Sequence, residues 1–113
     1  MLRGGKFMEG ANRTKVKGMR TQMLSRTFEV QLKALGSLVR MNILKAVADG
    51  PKSVWEISNE VGLSQPSASS QMNILWTAGF LSKYKRGKYV YYELDREAFL
   101  ALQQAMAEYL NLK

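Results

Sequence analysis

Residues 64–73 read SQPSASSQMN, a run of hydroxyls and primary amides without a single charged side chain. Groups of this kind do hydrogen-bond recognition, not proton transfer. A primary amide offers a donor beside an acceptor, which matches the edge of adenine, and a serine hydroxyl can give or take a hydrogen bond. Gln65, Ser67, Ser69, Ser70, Gln71 and Asn73 are therefore candidates for reading base edges in the major groove of double-stranded DNA. The complementary chemistry follows closely. KYKRGK, residues 83–88, holds Lys83, Lys85, Arg86 and Lys88 without an acid, and such point charges neutralise backbone phosphates. Ser64, heading the polar run, joins them as a candidate backbone contact.

Other chemistry is excluded by what the chain lacks. It has no cysteine and no histidine, which removes disulfides, thiol redox switching, tetrahedral zinc sites and imidazole catalysis together. No nucleophile with its base and no phosphate-cradling glycine loop can be assembled, so no enzyme, cofactor or metal is expected. Length and charge agree with a binding role: 113 residues suit one domain, and a net charge of +8 favours polyanionic partners. Residues 1–20 hold six Lys or Arg against Glu9 alone. They read as a basic flexible tail and lack the apolar core of a signal peptide, so a cytoplasmic location is expected. No apolar run approaches the roughly 20 residues of a membrane span.

The elements that must carry these residues follow from periodicity. Over 21–35, Leu24, Phe28, Leu32 and Leu35 form one helical stripe and Met23, Val30 and Ala34 a second, more apolar surface than one core needs. Ser37 can cap a helix carrying Val39, Ile43, Leu44 and Val47, which ends at Asp49-Gly50-Pro51. Ser53 opens a third helix, with Glu56 placed for a capping box, Trp55 and Ile57 facing inward and Gly62 ending it. The polar run is itself a helix: Ala68, Met72, Leu75 and Gly79 recur at helical spacing, Pro66 is tolerated in a first turn, and Ser64 or Gln65 can cap it. Two strands, Leu81 to Lys85 and Lys88 to Leu94, meet at a turn on Arg86 and Gly87, with Val90, Tyr92 and Leu94 pointing inward. A last helix over 96–110 again carries surplus apolar surface: Phe99, Leu102, Met106, Tyr109 and Leu110 with Leu100 and Ala105. The order is that of a mainly α (α+β) winged helix-turn-helix, four to five helices with a two-stranded β-wing, occupying 21–113 behind the tail.

LKALGSLVRMNILKAV and VWEISNEVGLSQPSASSQMNILWTAGFLSKYKRGKYVYYEL together resemble the winged helix-turn-helix of the ArsR/SmtB family of bacterial repressors over roughly residues 32–94. Gly-Leu-Ser-Gln opening the recognition helix, Ala-Gly-Phe-Leu entering the wing and Val-Tyr-Tyr in its second strand fall in register without a gap. The resemblance implies a homodimer paired through the first and last helices, and so an interface built from Met23, Phe28, Val30, Phe99, Leu102, Met106 and Tyr109. The chain also departs from the pattern. Where metal-sensing members of that family carry cysteines in the third helix, it has Ser53 and Trp55, and the final helix offers only Asp95, Glu97 and Glu108. Ser37, Leu38 and Val39 stand in place of the more usual Asp-Pro-Thr.

The expected function is a homodimeric, sequence-specific transcriptional repressor on a palindromic operator, without metal or thiol sensing. The alternative is a winged helix used for protein binding, whose outer helices dock a partner protein. A hydrophobic ligand, a protein antagonist or no effector at all would each be compatible with the residues present.

Overall fold

The protein is described by a computed structural model over residues 27–112. The basic segment 1–20 and residues 21–26, Met23 and Leu24 among them, lie outside the described residues. The elements run α1 (helical over 27–35), α2 (Leu38–Ala46), β1 (Lys52–Ser53), α3 (Val54–Val61), α4 (Gln65–Thr77), β2 (Leu81–Arg86), β3 (Tyr89–Leu94) and α5 (Arg96–Tyr109). The strands form an antiparallel sheet in the order β1-β3-β2. This is a mainly helical winged helix-turn-helix.

Local chemistry sets the boundaries. Ser37 caps α2 by accepting from the Arg40 amide at 3.3 Å. Ser53 and Glu56 make a reciprocal capping box on α3: the Ser53 hydroxyl accepts from the Glu56 amide at 3.2 Å, and the Glu56 carboxylate accepts from the Ser53 amide at 2.9 Å. Gly62 ends α3 with φ of 76°, a left-handed conformation that suits glycine, and Ser64 caps α4 three residues before Ser67. Only a short turn separates α3 from α4, so the pair is held at the angle of a helix-turn-helix.

One core joins all the helices. Ile43 of α2, Ile57 of α3, Ala68, Met72 and Leu75 of α4, and Phe80 at the entrance to β2 are wholly buried, with Ala34, Leu81, Tyr92 and Leu102 closing around them. Each large apolar side chain so buried contributes about 1.5–3 kcal/mol. Phe80 meets Phe99 edge to face at 5.9 Å between centroids, which ties α5 to the centre. Burial also pushes the Tyr92 phenol above its ordinary pKa, while a hydrogen bond to Glu60 holds the Lys52 ammonium above its own.

Several expectations are corrected by the packing. Trp55 faces out, 59% exposed, because α3 buries Ile57 and Ser58 and packs Val54 and Val61 against the core, leaving its neighbour about 100° around the helix in solvent. Ser58 fits inside because its hydroxyl donates to the Trp55 carbonyl at 2.9 Å. Val39 is exposed too, since α2 turns Ile43, Leu44 and Ala46 inward instead. The wing turn lies one residue later than expected, on Gly87 and Lys88, with Arg86 paired to Tyr89; Gly87 takes φ of 64°, as the first position of a tight hairpin turn requires. Val90 lies beyond the core's reach and is exposed. Strand β1 was not expected at all. Two residues have no periodicity, and only their pairing with Tyr92 and Tyr91 makes them a strand. Leu102 is 2% exposed in the protomer's own core and Phe99 packs against that core, so Leu102 in particular has little surface left for a partner.

The capping box makes a direct stability prediction. Ser53→Ala should cost about 1 kcal/mol and lower the melting temperature by roughly 5 °C in a calorimetric scan. An unchanged melting temperature would show that α3 is held by packing alone.

Candidate nucleic-acid interface

Helix α4 buries one stripe and presents the rest of its circumference. Ala68, Met72 and Leu75 anchor it, and Gln65, Pro66, Ser67, Ser69, Ser70 and Asn73 are exposed. The sequence-derived readers thus share one surface, with Gln71 as the exception. Gln71 is half-buried at the flank, and its amide oxygen accepts from Arg40 Nη1 at 2.8 Å. Arginine only donates, so this contact assigns the amide orientation. The side-by-side donor and acceptor that adenine readout needs is therefore divided.

Arg40 is the residue that sequence reasoning missed. Its Nε donates to the Ala34 carbonyl at 2.6 Å and its Nη2 to the Lys33 carbonyl at 3.1 Å, both in the last turn of α1, where carbonyls run short of helical amide partners; the Lys33 carbonyl also accepts from the Gly36 amide at 3.2 Å. One planar guanidinium thus fastens the end of α1 to the flank of α4. Its sequence signal was faint: a long donor side chain three residues after the cap of α2. A second strap comes from Gln31, whose side-chain amide donates to the Ala78 carbonyl at 3.3 Å just beyond α4.

The wing projects beside α4. Lys85 and Arg86 pair across the hairpin with Val90 and Tyr89, Lys88 lies in the turn, and all are exposed. Tyr84 stacks on Tyr91 at 6.0 Å and stiffens the hairpin. Lys83 is held differently from the others: its ammonium sits 4.0 Å from the centroid of the Trp76 ring, joining the base of the wing to the end of α4. Ser64 remains exposed while its oxygen accepts from the Ser67 amide, which leaves the hydroxyl proton free to donate. The arrangement is a neutral hydrogen-bonding helix face with a cationic hairpin at its side.

Residues 38–83, from α2 into the wing, match the sequence model of the bacterial regulatory proteins of the arsR family. That segment is an arsR-type helix-turn-helix. The chain is 28% identical over 79 residues to the transcriptional repressor SdpR of Bacillus subtilis, covering 70% of this chain and 88% of that one. It is 29% identical over 89 residues to a biofilm growth-associated repressor of Xylella fastidiosa, covering 77% and 78% of the two chains. Its fold superposes with a TM-score of 0.68 on the homodimeric winged helix-turn-helix DNA-binding domain Mb0332 of Mycobacterium bovis, at 28% identity over 79% of this chain and 85% of the other.

At the third-helix positions where the family resemblance places the sensors' cysteines stand Ser53 and Trp55. Ser53 is committed to the capping box and an indole at Trp55 offers no ligand atom. Asp95 caps α5 by accepting from the Ala98 amide at 3.0 Å, and Glu108 lies at the far end of that helix. Among the described residues, no three acidic side chains gather as a metal ion would require. No described helix is long and apolar enough to cross a membrane.

Proposed function

We propose that the chain is a sequence-specific DNA-binding transcriptional repressor that acts as a homodimer on a palindromic operator and senses neither metals nor thiol oxidation. The observation that carries this reading is the division of chemistry between α4 and the wing: uncharged hydrogen-bonding side chains on the helix, and on the hairpin cations that form no salt bridge among the described residues. Gln65, Ser67, Ser69, Ser70 and Asn73 read base edges in the major groove. Gln71 and Arg40 hold the helix at its angle, and Ser64, Lys85, Arg86 and Lys88 bind backbone phosphates, with Lys83 at the base of the wing. The relatives' repressor names and the family match support the same conclusion.

The test is selection from a random-sequence duplex pool followed by titration across salt concentrations. A recovered inverted repeat with half-sites about one DNA turn apart is the expected result. Replacing Lys85 or Arg86 by Ala should weaken all sequences alike and flatten the salt dependence by roughly one unit of log–log slope per lost phosphate contact. A change in sequence preference would instead assign base reading to the wing.

Binding should be indifferent to zinc, nickel, arsenite and chelators, and to peroxide at levels that spare methionine, because carboxylates and thioethers hold these metals poorly. Stoichiometric quenching of Trp55 fluorescence by zinc, with release of DNA, would reveal a carboxylate site instead, built from Asp95 and Glu97 across the dimer. The competing reading, a protein-interaction module, draws on the exposed apolar side of α5. It predicts that no sequence is enriched from the pool.

A further inference from the structure

Between the first turns of α3 and α4 and the start of β3 in the wing runs an open cleft of about 790 Å³. Its walls carry two large aromatics that the core leaves in solvent: Trp55, 59% exposed, and Tyr89, 56% exposed. Gln65 and Ser69 of α4 line the same cleft, and Lys88 contributes a cation from the wing turn. Glu56 is the only acid among the lining residues, and one of its carboxylate oxygens is already engaged by the Ser53 amide. Exposing a tryptophan and a tyrosine together on one cleft is costly unless something covers them, and each has an apolar ring ending in a hydrogen-bond donor. Their natural complement is an anionic chain with apolar spacers.

Such a chain passes here if the DNA reading above holds, on which this inference rests. A recognition helix in the major groove and a wing in the adjoining groove leave a single strand of the duplex between them, and the cleft is the space between helix and wing. We propose that this cleft seats one phosphodiester strand, with Trp55 Nε1 and the Tyr89 hydroxyl donating to its phosphate oxygens and their rings packing on the deoxyriboses. Lys88 supplies the countercharge. The two aromatics lock the strand in place, so they add affinity for duplex DNA of any sequence and fix how far the wing can follow the groove.

The test uses the full chain and the best-bound duplex recovered from a random pool, synthesised with one methylphosphonate at each phosphate in turn. Wild-type binding should drop about tenfold or more at one or two positions per half-site, as loss of a charge-assisted hydrogen bond does. Trp55→Phe, which keeps a smaller aromatic ring and removes the donor, should weaken the unmodified duplex by a similar factor and abolish the penalty at one of those positions. Tyr89→Phe should do the same at a neighbouring phosphate. Glu56→Gln keeps the capping box and removes the acid, so it should tighten binding two- to threefold. Trp55 emission should change on DNA addition and, by comparison with Trp55→Phe, be separable from Trp76. If both Phe variants bind every modified duplex as wild type does, or if Trp55 emission responds to small aromatic compounds and not to DNA, the cleft is not a strand seat. If no duplex of any sequence is retained, the DNA reading itself falls.

Discussion

Sedimentation equilibrium at micromolar concentration should return a dimer, and Met106→Asp with Tyr109→Asp should return a folded monomer that has lost operator affinity by two to four orders of magnitude. The expectation rests on surface that the protomer's fold leaves uncovered. Tyr109 is 76% exposed although its ring lies 5.6 Å from that of Phe28 on α1, and Met106, one turn earlier on α5, and Leu110, at the helix end, are exposed as well. Single exposed apolar residues need no explanation, but a patch shared by two helices marks an interface. The size of the effect comes from linkage: a dimer presents two recognition helices at once, and the second engages at the effective concentration set by the first, worth about 10²–10⁴ in affinity. Introduced carboxylates cannot be buried unpaired, so they break the pair without touching Ile43, Met72 or Phe80. Circular dichroism should show unchanged helix content. A wild-type chain that sediments as a stable monomer would remove the interface and the palindromic operator with it.

The second large effect belongs to the helix face. Gln65→Ala and Ser70→Ala should each cost about 1–3 kcal/mol on the selected operator while leaving non-specific binding nearly intact. Both side chains are exposed and, among the described residues, neither enters a hydrogen bond, so their removal costs the fold little. Gln71→Ala should behave differently. It strips Arg40 of its partner on α4, so affinity should fall through a displaced helix, with sequence preference weakened across the half-site and not at one base pair. Competition titrations against single-base operator variants distinguish the two patterns. Uniform loss for Gln65→Ala, or loss at one base pair for Gln71→Ala, would exchange their roles.

Much of this molecule was determined by the sequence itself. Caps and periodicity act over three or four residues, so Ser37, Ser53 with Glu56, Gly62, Ser64 and the Ala68–Met72–Leu75 stripe specify their helices without knowledge of the rest. The absence of cysteine and histidine is likewise local information, and it bounds the chemistry before any fold is known. The tertiary structure decided what depends on contacts distant in the chain. Whether Trp55 or Ser58 turns inward is set by where α3 lies on α4, and two residues become β1 only because β3 arrives beside them. Leu102 belongs to the protomer's core because α5 folds back onto Phe80's layer, while Tyr109 further along the same stripe does not reach it. Arg40 joins Ala34 to Gln71, 31 residues further on, a link no local pattern encodes. Helical periodicity reports which residues share a face but not what that face meets, and burial and hydrogen-bond partners are settled only when the elements dock.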